Sequence, residues 1–267
     1  MRWLQALCFF FSLPNATLHD RDHPRIIGLR IRGAILATSL SILVTGGVLS
    51  LWQPAEKAGV WAVVDALGLS PKPALASVAI ALVLSMTLYL GPLVLDKLDG
   101  VFKWESVRRI PGQLRQPMNV RNYIAGPLTE ELVFRSSVVP LWVAAGLSAG
   151  SCIFLSPLIF GVAHVHHAVS VYANGRVSLA NVLMGTAFQL AYTTLFGWFA
   201  VFLFIRTGSV AGPIVAHAFC NVEGLPDLSR AQEHPRYKYA IWLAFVSGAV
   251  GFLMLLEPMT RPGVFVS

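Results

Sequence analysis

Apolar runs of about twenty residues recur along this chain, and that feature leaves few folds open. In hydrocarbon every backbone N–H and C=O must find its partner inside the protein, so such runs cross a bilayer as α-helices. They fall at 33–51, 74–95, 122–144, 148–165, 180–205, 209–222 and 239–256. Charge is correspondingly scarce, at 12% of residues with a mean hydropathy of +0.65, against about 25% in a soluble domain. The pattern predicts one all-α, polytopic membrane domain over residues 1–267, a bundle of about seven or eight transmembrane helices.

The net charge is +7 and the pI is near 9.7. In a soluble protein that balance would point to nucleic acid. Here the basic residues gather in a few loops, where they set topology. No nucleic-acid partner is expected; the bilayer itself is. The three cysteines, Cys8, Cys152 and Cys220, form no C-x-x-C pair, so neither a disulfide framework nor a thiolate zinc site is supported. The stretch from Trp3 to Leu13 is apolar but too short to span. It reads as a signal-peptide core, a helix stub or an interfacial anchor.

Orientation follows from the loops. Arg21, Arg25, Arg30 and Arg32 make 14–32 basic, and Lys97, Lys103, Arg108, Arg109, Arg115 and Arg121 do the same for 97–121. Both belong in the cytoplasm, which discounts Asn15-Ala16-Thr17 as a glycosylation site. Alternation places 166–179 and 223–238 on that side too. Segment 100–110 mixes apolar and cationic residues and predicts a short interfacial helix. The run 209–222 measures about 21 Å as a helix, shorter than a hydrocarbon core of about 30 Å. Short helices at membrane depth line water-filled cavities, so a cavity open to the cytoplasm is expected.

Three polar clusters interrupt the apolar spans: Glu130-Glu131 with Arg135, His164 with His166 and His167, and His217 with Asn221. Each falls in the cytoplasmic half of its span, and ionisable groups at that depth default to function. Glu131 and Arg135 are spaced i, i+4, the favourable order for an ion pair, and a purely structural pair accounts for them. Glu130 is left without a partner in its own helix, which suits a general base. Phe160 precedes His164 by one turn on the same face. His217 and Asn221 share a face. They could be bundle hydrogen bonds or two donors aimed at an oxyanion.

Alternatives remain open on the residues alone. Glu130, His164 and His217 could hold zinc in a catalytic geometry, although H-E-x-x-H is absent. Cys220 with His217 could form a nucleophile–base pair. A transporter or interaction protein could use the same groups as a proton relay.

The motifs also carry a resemblance. Glu130-Glu131-Leu132-Val133-Phe134-Arg135, Phe160-Gly161-Val162-Ala163-His164 and His217-Ala218-Phe219-Cys220-Asn221 resemble the E-E-x-x-x-R, F-x-x-x-H and H-x-x-x-N motifs of the CAAX protease and bacteriocin-processing family. Gly126-Pro127-Leu128-Thr129 and His166-His167 narrow the likeness to the eukaryotic type II CAAX prenyl endopeptidases. The likeness covers roughly residues 75–256, the motif-bearing core. It implies an intramembrane endopeptidase of the endoplasmic reticulum that removes the -aaX tripeptide from farnesylated or geranylgeranylated CAAX proteins such as Ras-like GTPases. Glu130 and His164 would then activate water, His217 and Asn221 would form the oxyanion hole, and Glu131 and Arg135 would brace the site. The resemblance implies neither metal nor cofactor.

Overall fold

The computed structural model describes residues 22–52, 59–100, 112–163, 172 and 178–261, with side chains for all of these except 160–163. The stretch at 3–13, Asn15, most of the 100–110 segment, His164, His166, His167 and the Phe160 side chain lie outside the described residues.

The described residues are helical, with no strand. Helix α1 (Pro24–Trp52) is followed by α2 (Val60–Ala66), α3 (Ala74–Leu88) and α4 (Leu90–Leu98). Residues 117–144 form one rod built of α5 (Pro117–Val120), a π turn (Arg121–Ala125), α6 (Gly126–Glu131), a second π turn (Leu132–Val138) and α7 (Val139–Ala144). Then come α8 (Ala149–Ala163), α9 (Leu179–Thr207), α10 (Ala211–Glu223), two 3₁₀ turns and α11 (Lys238–Met259).

Among the described residues, three helical runs are long and apolar enough to cross a membrane: Pro24–Trp52, Leu179–Thr207 and Pro235–Met259. The bent pair Ala74–Leu88 and Leu90–Leu98 would make a fourth. The other expected spans are shorter helices at the expected positions. This is a multi-pass membrane protein. Its large exposed side chains are apolar along α1, α9 and α11, among them Leu43, Leu183 and Leu253, as faces turned to acyl chains require.

Three differences from the sequence reading have local causes. Helix α1 begins at Pro24, not Gly33. Proline suits a first helical turn, and the side chains of Arg25, Arg30 and Arg32 are long enough to reach the interface. The span read as 74–95 bends by 68° at Tyr89. Pro92 has no N–H for the Leu88 carbonyl four residues back, and its ring crowds that carbonyl. Gly248 of α11 packs there, where a Cβ would lie 2.6 Å from the Thr87 carbonyl oxygen. The run 122–144 is not one regular α-helix, for reasons that bear on the site.

Helix α10 is held between α3 and α9. Ser77 of α3 hydrogen bonds to Thr207 at the end of α9 at 2.9 Å, and both are buried. Gly208 then stops α9 with φ +64°, a left-handed conformation that glycine adopts without penalty. Behind α10, the connector to α11 is fastened to α4. Arg230 donates to Asp96 at 2.8 Å and to Asp99, and His234 also bonds Asp99. The Arg230 guanidinium first, then His234, hold the Asp99 carboxyl below the usual carboxylate range. This contribution is complete at neutral pH and is lost as pH falls through the lowered Asp99 value.

Gly212 is where α10 meets α3, and a Cβ there would lie 2.3 Å from Ser77 Oγ and 2.9 Å from the Ser77 carbonyl oxygen. Gly212→Val is expected to cost about 1–3 kcal/mol, the usual penalty of overpacking. Thermal unfolding in detergent micelles reads it. Gly185→Ala, whose Cβ meets nothing within 4 Å, is the control expected to match wild type.

Candidate active site

The rod 117–144 and helix α10 supply most of the described site. Glu131 is fully buried, and its Oε2 lies 3.0 Å from Nε of Arg135, one turn on. Its other oxygen, Oε1, lies 2.7 Å from His217 Nδ1. One carboxylate therefore serves both partners. On the far side of the imidazole, Nε2 lies 3.9 Å from Glu130 Oε2. That distance is too long for a direct hydrogen bond but short enough for one water to touch both. The Glu130 side chain is 37% exposed, while that of Glu131 is at 0%. Two adjacent acids thus face different surroundings, as a turn of about 100° per residue requires.

Phe196 of α9 closes the apolar side. Its ring centroid is 4.9 Å from that of His217, and the Arg135 guanidinium carbon lies 5.9 Å from it. A cation over an aromatic face is favourable, and the same ring packs against the imidazole. Nothing in the sequence singles out Phe196 among 16 phenylalanines.

Asn221 is exposed and donates from Nδ2 to the carbonyl of Asn122 at 2.9 Å. That carbonyl is open for a reason written in the sequence. The Gly126 N–H bonds to the Arg121 carbonyl, closing the first π turn. The next residue, Pro127, has no N–H. Neither residue that would normally bond the Asn122 carbonyl from within the helix does so, and the Asn221 amide takes the place.

The structure thus brings Glu130, Glu131, Arg135, His217 and Asn221 to one contact between the rod and α10. His164 lies outside the described residues, and the Glu130, His164 and His217 zinc arrangement with it. Among the described residues no three His, Cys, Asp or Glu side chains stand close enough together to hold a metal ion. The Cys220 side chain neighbours the Tyr89 hydroxyl.

Comparison with known proteins agrees with the motifs. The family described as Type II CAAX prenyl endopeptidase Rce1-like matches residues 115–222, the interval holding Glu130, Glu131, Arg135, Phe196, His217 and Asn221. CAAX prenyl protease 2 of Homo sapiens is 35% identical over 257 residues, covering 92% of this chain and 76% of that protein. The chain belongs to the type II CAAX prenyl endopeptidase family. CAAX prenyl protease 2 of Arabidopsis thaliana is 34% identical over 86% of this chain and 76% of its own length. Probable CAAX prenyl protease 2 of Schizosaccharomyces pombe is 33% identical over 82% and 75%. No solved structure matches the chain.

The Glu131–Arg135 pair predicts its own stability test. Arg135→Met leaves the Glu131 charge without its cation and is expected to cost about 3–5 kcal/mol. Adding Glu131→Gln removes that stranded charge and keeps an acceptor for His217 Nδ1. The double variant is expected to recover most of the loss in denaturant unfolding.

Proposed function

We propose that this chain removes the C-terminal -aaX tripeptide from prenylated CAAX proteins, Ras-like GTPases among them, at a hydrated site beneath the cytoplasmic leaflet of the endoplasmic reticulum. It is a CAAX prenyl endopeptidase, a hydrolase of peptide bonds. Residues 1–267 act as one integral membrane protease domain of about seven or eight spans, counting the shorter helices as membrane segments. The basic stretches 14–32 and 97–121 support the cytoplasmic orientation.

Water is the nucleophile. Glu130, the half-exposed carboxylate, is the base that takes its proton, together with His164. A water about 2.8 Å from both Glu130 Oε2 and His217 Nε2 is compatible with their separation. Attack on the scissile carbonyl places a negative charge on its oxygen. His217 and Asn221 donate to that oxygen. With Nδ1 donating to the Glu131 carboxylate, the ring must carry both protons for Nε2 to donate as well. Collapse of the tetrahedral adduct breaks the C–N bond, and the proton held by Glu130 passes to the leaving amine.

The observation that carries this reading is the Glu131 carboxylate bound at once to Arg135 and His217, with Glu130 across the same ring. A metal-independent route is the reading adopted. A zinc peptidase or a proton-relay transporter would use the same side chains differently.

Purified protein with a farnesylated C-a-a-X peptide tests it. Glu130→Ala and His164→Ala are each expected to abolish cleavage while remaining folded. Asn221→Ala is expected to lower kcat about 10²–10³-fold, with KM little changed, because its bond forms mainly in the transition state. Equal cleavage by wild type and Glu130→Ala would leave the transporter reading standing. Stoichiometric zinc whose removal stops turnover would establish the metallopeptidase.

A further inference from the structure

Asn221 can serve an oxyanion only if its amide is held in one plane. The described structure holds it through a polar chain that no motif includes. Asn221 Nδ2 donates to the Asn122 carbonyl at 2.9 Å. The Asn122 side chain accepts from Arg121 Nε at 2.9 Å. The same guanidinium is bonded through a terminal nitrogen to Asp22 at 2.8 Å, just before α1. Three elements distant in sequence are joined: the approach to α1, the first π turn and α10.

The backbone explains why the chain ends on Asn221. Gly126 donates its N–H to the Arg121 carbonyl, five residues back. A Cβ on Gly126 would lie 3.0 Å from that oxygen, so the tight π closure is eased by glycine. Pro127 brings no N–H at all, and it is buried. The Asn122 carbonyl is therefore reserved for a donor from outside the rod. π turns in α-helices recur at functional positions, and this one presents an acceptor to α10.

We infer that Arg121 and Pro127 are positioning residues for Asn221: Pro127 keeps the Asn122 carbonyl open, and Arg121 fixes Asn122 against Asp22. One Asn221 N–H goes to that carbonyl, and the other is left aligned for the substrate oxyanion. This rests on the oxyanion role of Asn221. Pro127→Ala would restore a backbone N–H that competes for the carbonyl. Arg121→Ala would release Asn122 without touching the buried ion pair.

A double-mutant cycle in the full-length protein tests this, with the farnesylated peptide and single-turnover rates at high enzyme concentration. Arg121→Ala and Pro127→Ala are each expected to lower the rate about three- to tenfold, the worth of one ordinary hydrogen bond, with KM little changed. In the Asn221→Ala background the same substitutions are expected to change it less than about twofold, because the group they position is gone. Equal losses in both backgrounds would show a general structural role and overturn the inference. So would an unchanged rate for Arg121→Ala, a surface-accessible variant expected to fold even where Pro127→Ala does not. An Asn221→Ala protein with wild-type rate would instead overturn the oxyanion reading itself. The two failures are therefore distinguishable.

Discussion

Everything at the contact between the rod and α10 depends on one buried carboxylate shared by two partners. Glu131 sits at zero exposure with Arg135 on one oxygen and His217 on the other. A buried carboxylate is tolerable only when its charge is answered; here His217 hydrogen bonds Oε1, and Oε2 meets Arg135 as an ion pair. Arg135 answers the charge from the same rod. His217 uses the remaining oxygen, and that bond fixes which imidazole nitrogen turns toward Glu130. The pair that stabilises the rod is thus also what orients the ring.

Much of this was legible in the sequence where the signal is local. The apolar runs located the helices, and the gaps between runs at 145–147 and 206–208 hold left-handed glycines, Gly146 and Gly208, with φ +86° and +64°. The i, i+4 spacing of Glu131 and Arg135 predicted their ion pair, which the structure forms. The bond between Glu131 and His217 was not legible, since 86 residues separate them and no spacing rule reaches that far. The resemblance implies a bracing role for Glu131, and no spacing in the sequence names a partner for its second oxygen. The bend at Tyr89 was legible in part. Pro92 was present, but hydropathy averages over a proline and reports one unbroken span.

The π turns were missed for a different reason. Hydropathy and helical periodicity both assume 3.6 residues per turn, and a π turn adds a residue without altering composition. Gly126-Pro127 carries the relevant signal, yet it stands for a helix break as readily as for a widened turn. Only the destination of the Asn122 carbonyl separates the two. Asn122 itself gave no warning, because its contribution to α10 comes from the backbone and not from its side chain.

Those two widened turns also bear on why adjacent acids can do different work. Each inserted residue rotates the downstream part of the rod by about 100° relative to a regular helix. The segment Gly126–Glu131 lies between them, so the direction in which its side chains point is uncoupled from the faces above and below. The rod can keep apolar faces toward lipid and the core at both ends while turning its two acids toward α10. A regular α-helix of this sequence would hold that register fixed from end to end. Placing Glu131 under His217 would then dictate which way Val139 and Met118 face. As built, Val139 is buried against Cys152 and Val201 and Met118 is exposed, while Glu131 still reaches the imidazole. The irregular backbone is the means by which the rod carries a polar site without giving up its packing.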